Sequence, residues 1–176
     1  MFDFVIATEK SRISINPPFV VGGGTTEDSV ESGVVSITAK EDAEALGAAR
    51  QILSYLPSNN EEGGAEVLTG DEVNRLIDTS AYASGDMKAL IAAFADDAAY
   101  IELGAGYAKS LTTGLVSMGG TVCGIVGTNH AENEGRLTSK AARKAAKFIT
   151  FCDCFGIPVI TLVDSEGFAV CGDEEK

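Results

Sequence analysis

The residues best suited to chemistry lie where an apolar strand ends in a polar turn. The stretch IPVITLVDSEGF (157–168) predicts a strand buried on both faces that runs into Asp164 and Gly167. In α/β proteins, ligand sites gather outside the carboxyl ends of strands. A glycine there lets a ligand approach the backbone, and exposed N–H groups can receive a developing oxyanion. The pattern is equally typical of an ordinary turn, so both interpretations stay open.

Cys152 and Cys154 form a second candidate, because closely spaced thiols can bind zinc. Their spacing differs from that of paired zinc knuckles, and His130, the single histidine, lies far away in the sequence. On a helix, Cys152 falls in step with Phe148 and Phe155. We therefore interpret Cys152 as a small buried hydrophobic residue and predict no metal site.

Two other features have simple interpretations. His130 has no partnered Ser or Cys motif, and a lone histidine in a loop after a strand is more often a surface residue than a catalytic one. The triple glycine at 22–24 lacks the Gly-Lys-Ser/Thr ending of a phosphate loop, and no helix clearly begins on it. We interpret it as a flexible connector.

Composition limits the class of protein. The 176 residues are 45% hydrophobic and 7% aromatic with no Trp, which suits an α/β core of Ala, Val, Ile and Leu. The net charge of −13 argues against binding to nucleic acid or to an anionic membrane. Neither a signal peptide nor a membrane-spanning run is visible, which predicts a soluble, cytoplasmic protein with free thiols at its four cysteines, including Cys171.

Hydrophobic periodicity predicts an alternation of strands and helices. A helix at 41–56 has apolar residues at positions 46, 49, 53 and 56, and Pro57 ends it. A second helix follows a cap at Asp86. The hairpin turn is predicted at Gly119-Gly120, and Gly156 ends a long helix. The predicted strands are 3–8, 12–16, 33–39, 99–104, 110–118, 121–127 and the run after Ile157, and the long helix is 139–155, with Ala141, Ala145, Phe148, Cys152 and Phe155 on one face.

Four stretches of the chain resemble one family. They are ESGVVSITAKEDAEALGAARQILSYLPSNN (31–60), AYIELGAGYAKSLTTGLVSM (99–118), GLVSMGGTVCGIVGTNH (114–130) and KAARKAAKFITFCDCFGIPVITLVDSEGF (140–168). In this order they are similar to the middle of the carboxyltransferase subunits of biotin-dependent acyl-CoA carboxylases and decarboxylases, of the propionyl-CoA and methylmalonyl-CoA types. The resemblance covers nearly the whole chain.

The resemblance implies a crotonase-like ββα superhelix in two lobes. It places the end of the N-terminal lobe at 1–60, a linker at 61–85 and the start of the C-terminal lobe at 86–176. It also implies an acyl-CoA substrate, biotin on a partner carrier protein and a homo-oligomer. In the family, backbone amides of glycine turns hold the thioester and the ureido carbonyl. This arrangement is chemically sound, because fixed N–H donors stabilise the charge of an enolate. Both turns fall outside the matched stretches, so the chain is expected to be a partial subunit without activity of its own.

The family's D-x-P-G-F turn has Glu166 in place of its proline. Of the biotin-side site, the resemblance carries over only Asp164, Gly167 and Phe168, as cofactor-binding residues that act through backbone or shape. It names no catalytic residue in this chain. The predicted function is that of a partial acyl-CoA carboxyltransferase. The alternative is a non-catalytic assembly or binding module, and a crotonase-type hydratase or hydrolase is disfavoured for lack of paired carboxylates.

A basic cluster on the long helix also has two interpretations. Solvation of this helix face is the simpler one. The other is contact with CoA phosphates or with a partner subunit. The cluster consists of Lys140, Arg143, Lys144 and Lys147.

Overall fold

A computed structural model describes residues 3–13, 24–72 and 74–170. The predicted strand at 12–16 lies mostly outside these residues, as do Gly22, Gly23 and Cys171. Within the described residues, Arg12 forms an isolated bridge with Thr25.

The chain alternates short strands with helices, as the periodicity predicts. The strands are β1 (Ile6–Thr8), β2 (Ile37–Ala39), β3 (Tyr100–Glu102), β4 (Leu111–Met118), β5 (Thr121–Thr128) and β6 (Val159–Leu162). The α-helices are α1 (Thr26–Glu31), α2 (Asp42–Ser54), α3 (Met87–Phe94) and α4 (Ser139–Cys154), and a 3₁₀ helix spans Thr79–Ser84.

Two sheets organise these elements. Strands β1 and β2 pair in parallel, and the other four strands form one sheet in the order β3-β4-β5-β6. The β4-β5 hairpin turns at Gly119 and Gly120, whose φ angles of 59° and 81° are in the left-handed region that glycine tolerates. Asp96 accepts hydrogen bonds from both of these amides and from Ser117, and these bonds hold the pKa of its carboxyl below the ordinary value although burial opposes them.

Helix α4 connects β5 to its parallel neighbour β6. Thr138 caps the helix by accepting from the Ala141 amide, and Gly156 follows its end with φ 63°, as predicted. The helix packs on the β4-β5 face through Phe148, Phe151 and Cys152, among others.

Cys152 is a buried thiol, as predicted. It is completely inaccessible to solvent, and burial raises its pKa to about 11. Its partner in the C-x-C motif, Cys154, is exposed. No group of metal ligands occurs among the residues that the structure describes.

Hydrophobic residues cover both faces of the larger sheet. On one face, α4 packs against β4 and β5, while α2 packs on β1 and β2, and Ile52, Tyr55 and Leu115 lie in a common core. On the other face, α3 contributes Met87 and Ile91 to a second cluster. Burying side chains of this size contributes about 1.5–3 kcal/mol each, so these clusters are the main source of stability.

The predicted apolar face of α2 is wrong in part. Leu46 and Leu53 are both 68% exposed, whereas Ile52 is buried, as is Tyr55 just beyond the helix. The helix has two overlapping apolar stripes, and the sequence pattern does not show which one the sheet covers. Contact with β1, β2 and the common core selects the stripe that contains Ile52.

Strand β6 is not buried on both faces, which corrects another prediction. Among the described residues it pairs only with β5, so it is an edge strand. Thr161 is exposed, and Val163, just after the strand, is 75% exposed. The apolar composition suits a central strand, but burial depends on neighbours that the composition does not specify.

The predicted linker is irregular but attached to the larger sheet. The Val67 amide donates to the Gly120 carbonyl, and the Val122 amide donates to the Ala65 carbonyl. Arg75 donates to the carbonyls at the end of α3. Within the described part of the chain, no helix has the length and apolar character needed to cross a membrane.

Candidate functional site

The carboxyl ends of β5 and β6 meet at one edge of the sheet because the two strands are parallel. Gly127 pairs with Leu162, so the residues that follow each strand lie side by side. This brings Thr128 and His130 next to Asp164, the first polar residue of the predicted site.

Three hydrogen bonds hold Asp164. Its amide donates to the Thr128 hydroxyl at 2.6 Å, and that hydroxyl donates to the Asp164 carbonyl at 2.8 Å. The Tyr82 hydroxyl donates to the Asp164 carboxylate. Burial, this hydrogen bond and the carboxylate charge raise the pKa of Tyr82 to about 12, so the phenol remains a donor at neutral pH.

His130 faces the other carboxylate oxygen of Asp164. Its Nδ1 lies 3.7 Å from Asp164 Oδ1, and its side chain is 41% exposed. The predicted surface position is therefore correct in part, since the ring also belongs to the Asp164 cluster. We call Tyr82, His130 and Asp164 the strand-end cluster. Sequence reasoning missed it, although the rule that parallel strand ends meet could have placed His130 beside Asp164.

Gly167 and Phe168 form the open side of the same turn. Gly167 has φ 104°, a conformation that favours glycine, and apart from Gly167 and its two chain neighbours no described residue has a heavy atom within 4 Å of the point that a Cβ would occupy there. Its amide donates to the Ser165 hydroxyl, and the Glu166 amide donates to the Glu134 carbonyl. These two amides are therefore already occupied and are not available to an oxyanion.

An apolar groove borders this turn. Phe168 is 77% exposed and lines a groove of about 630 Å³ between α4 and β6. Leu137, Ile149 and Leu162 lie on its walls. The turn therefore combines a polar cluster with an apolar surface beside it.

Glu166, which replaces the proline of the family motif, has a charged partner. Arg136 contacts Glu134 at 2.7 Å and Glu166 at 3.0 Å, and all three side chains are largely exposed. Sequence reasoning missed this pairing because Arg136 and Glu166 lie 30 residues apart. The ion pairs connect the turn to the segment before α4.

The basic cluster of α4 is not a uniformly solvated face, which corrects that interpretation for Lys144. Lys140, Arg143 and Lys147 are exposed, but Lys144 is buried. Its Nζ donates to the Tyr107 carbonyl at 2.8 Å and to the Leu111 carbonyl at 2.6 Å. Burial lowers the pKa of Lys144 to about 8.

The basic residues also border a smaller cavity of about 190 Å³. Arg143, Lys144 and Lys147 lie on one side of it, and Phe4 and Tyr107 lie on others. The alternative prediction of contact with CoA phosphates or a partner stays a prediction.

The glycine-rich segment departs from expectation in one respect. Helix α1 begins two residues after Gly24, whereas no helix was predicted there. Thr25 and Asp28 form a reciprocal capping box that occupies the helix N-terminus. This geometry disfavours a phosphate loop, as the missing Gly-Lys-Ser/Thr ending also does.

A hairpin followed by a helix that crosses to a parallel strand defines the class of this protein. It is the ββα unit of the crotonase-like fold. The carboxyl transferase domain family matches residues 21–176, and the chain belongs to this family.

Two curated relatives illustrate the family. The chain is 33% identical over 184 residues to the 12S subunit of methylmalonyl-CoA carboxyltransferase from Propionibacterium freudenreichii subsp. shermanii, covering 94% of this chain and 35% of the relative. It is 34% identical over 155 residues to methylmalonyl-CoA decarboxylase subunit alpha from Veillonella parvula, covering 84% and 30%. The chain thus spans about a third of the length of these relatives.

Solved structures agree with this assignment. A transcarboxylase 12S hexamer with methylmalonyl-CoA and methylmalonic acid bound superposes with a TM-score of 0.89 at 33% identity, over 98% of this chain and 37% of that chain. A single-chain, multi-domain long-chain acyl-CoA carboxylase gives a TM-score of 0.79 at 26% identity, over 98% and 19%.

Proposed function

We propose that the protein is part of a carboxyltransferase that moves a carboxyl group between biotin and an acyl-CoA. The observation that carries the proposal is the TM-score of 0.89 against a structure that contains methylmalonyl-CoA. The names of both curated relatives also contain methylmalonyl-CoA. This substrate is therefore the first one to test.

Biotin, on a partner carrier protein, is the cofactor we propose for the turn at Asp164, Gly167 and Phe168. The described residues suit it, because the strand-end cluster offers polar partners for a ureido ring and the adjacent groove is apolar. Bound biotin would carry the carboxyl group. Asp164 would orient the ring, Gly167 would leave room for it, and Phe168 would exclude water from its apolar side. The donors that stabilise a thioester enolate must be groups other than the occupied Glu166 and Gly167 amides.

We further propose that the protein works in the cytoplasm as a homo-oligomer. Free thiols at Cys123, Cys152 and Cys154 suit a reducing compartment. The similar 12S structure is a hexamer, and exposed leucines such as Leu68 and Leu76 are suited to subunit contacts.

The test is carboxyl loss from methylmalonyl-CoA by the full-length gene product, measured with and without free biotin. We expect turnover that depends on biotin. Asp164→Asn should lower it about 10- to 100-fold, because a hydrogen bond to a charged group contributes about 1.5–3 kcal/mol. Asp153→Asn on the exposed side of α4 is the matched control and should retain activity. Absence of biotin-dependent turnover with methylmalonyl-CoA and malonyl-CoA would contradict the proposal.

A non-catalytic assembly or binding module is the second candidate. Its support is the outer edge of β6, which pairs with no other strand among the described residues, together with the exposed side chains of Val163, Phe168 and Val170 in the segment after β6. An inactive protein that still forms a stable complex with a carboxylase subunit in sedimentation would favour this candidate.

A further inference from the structure

The ring of His130 has one nitrogen that solvent does not reach. Its Nδ1 is buried and has no hydrogen-bond partner in the described structure. The nearest charged group is Asp164, whose Oδ1 is 3.7 Å away. Because a buried unpaired nitrogen is costly, a small movement of the ring that creates an Nδ1–H···Oδ1 bond is favourable.

The rest of the ring is oriented by its surroundings. A Cβ at Gly85 would lie 3.4 Å from His130 Cβ and 3.5 Å from Cδ2, so the Gly85 backbone lies near that edge of the ring. Since Nδ1 is buried, the exposed 41% of the side chain belongs to its other atoms. Because the two nitrogens of an imidazole direct their hydrogen bonds to different sides of the ring, Nε2 points away from Asp164.

The backbone on both sides of His130 is anchored. The Asn129 side chain accepts a hydrogen bond from the Met87 amide, and the Ala131 amide donates to the Gly85 carbonyl. On the other side of the contact, Tyr82 and Thr128 hold Asp164. The backbone that carries the imidazole and the residue that carries the carboxylate are thus both held in place.

We propose that Asp164 holds the neutral ring of His130 as the Nδ1–H tautomer, so that Nε2 accepts a hydrogen bond from an N–H of a cyclic urea. The tautomer of a histidine is set by the partner of its other nitrogen, and a carboxylate accepts but does not donate. Asp164 thus leaves Nε2 as an acceptor. The ureido ring of biotin belongs to this ligand class, so this proposal rests on the proposed function. His130 is then a ligand-contacting residue, and Tyr82 is a positioning residue.

The tautomer can be measured directly because His130 is the single histidine of the 176-residue sequence. Nitrogen NMR of ¹⁵N-histidine-labelled protein, at a pH where the spectrum shows a neutral ring, should give the Nδ1–H tautomer. Asp164→Ala should shift the population toward Nε2–H, and Asp153→Ala, the matched exposed control, should not. An Nε2–H tautomer in the unsubstituted protein would overturn the proposal, whether or not the protein is active.

Ligand recognition is tested with 2-imidazolidinone and its N,N′-dimethyl analogue, which lacks the N–H groups. We expect the first compound to move the Nε2 resonance and the second to leave it in place. His130→Gln, which can place an amide oxygen near the Nε2 position, should retain binding, while His130→Asn should weaken it about five- to tenfold. Equal responses to both compounds, or none to either, would overturn the proposal.

These outcomes are distinguishable from failure of the proposed function. Biotin-dependent turnover with an Nε2–H tautomer would leave the carboxyltransferase proposal standing and remove the role of His130. The Nδ1–H tautomer with selective urea binding but no turnover would support the role of His130 and contradict carboxyl transfer.

Discussion

At the scale of single residues, Lys144 shows that a basic residue on an amphipathic helix can be a buried structural group. Its Nζ satisfies the carbonyls of Tyr107 and Leu111, which belong to the loop before β4 and to the first residue of that strand. Both carbonyls would lose a buried donor if the amine were removed. Lys144 therefore attaches α4 to the sheet through hydrogen bonds as well as through apolar contacts.

We predict that Lys144→Met lowers the free energy of unfolding by about 1–3 kcal/mol at pH 7, because buried carbonyls lose their donors. The pKa of Lys144 is about 8 in the folded state and 10.5 ordinarily, so between these values the unfolded chain binds a proton that the folded protein lacks. Stability contributed by Lys144 should therefore rise with pH across this window.

Urea unfolding of the unsubstituted protein and of Lys144→Met measures the effect as the difference between their free energies of unfolding. The measurement is made at about pH 7, below the window between the two pKa values, and at about pH 9.5, within it. The difference should be larger at the higher pH. Lys147→Met is the matched control, since Lys147 is exposed on the same helix. A difference that is unchanged between the two pH values would contradict the buried position of the amine.

At the scale of elements, the turn after β6 has ion pairs at the position where the resemblance predicts a proline. Arg136 connects Glu134 and Glu166, and the turn is also hydrogen-bonded to Leu137 on both sides of Phe168. Exposed ion pairs contribute little to global stability but can limit local opening.

We predict that Arg136→Gln leaves the unfolding midpoint nearly unchanged and increases hydrogen exchange severalfold at the amides of Glu166 and Ala169. High salt should have the same local effect on the unsubstituted protein, because it screens exposed charges. Exchange in α4 should not change. Arg143→Gln, an exposed arginine on α4, is the control, and equal exchange in both variants would show that the ion pairs do not hold the turn.

At the scale of the whole molecule, the two predicted lobes share one hydrophobic core. Phe4 and Phe151 have ring centroids 4.4 Å apart in an edge-to-face arrangement. Ile52 and Tyr55 belong to the same cluster as Phe151. The residues before and after the predicted linker are therefore coupled energetically.

We predict that Phe151→Ala destabilises the protein by about 3–5 kcal/mol, the usual cost of removing a buried phenylalanine side chain. Because the core is shared, amides of α2 and of β4 and β5 should lose hydrogen-exchange protection together. Leu53→Ala is the control, as Leu53 is 68% exposed. Loss of protection in β4 and β5 with α2 unaffected would show that the two parts unfold independently.

Local patterns in the sequence were sufficient for most of the elements. The helix cap at Asp86, the glycine hairpin turn and the end of α4 at Gly156 were all predicted, and each depends on interactions within a few residues. The family and its fold were also recognisable from motifs. The helices, strands and turns are encoded locally because the periodicity of side chains along a helix or a strand spans only a few neighbouring residues.

Long-range contacts account for what the sequence did not provide. The contact between His130 and Asp164 joins residues more than 30 positions apart, and so do the hydrogen bonds of the buried Lys144. The open edge of β6 depends on which neighbours cover that surface. Periodicity cannot specify these contacts, because several packings bury similar apolar area. The folded chain selects one of them by satisfying its buried polar groups, and the candidate site exists only in that arrangement.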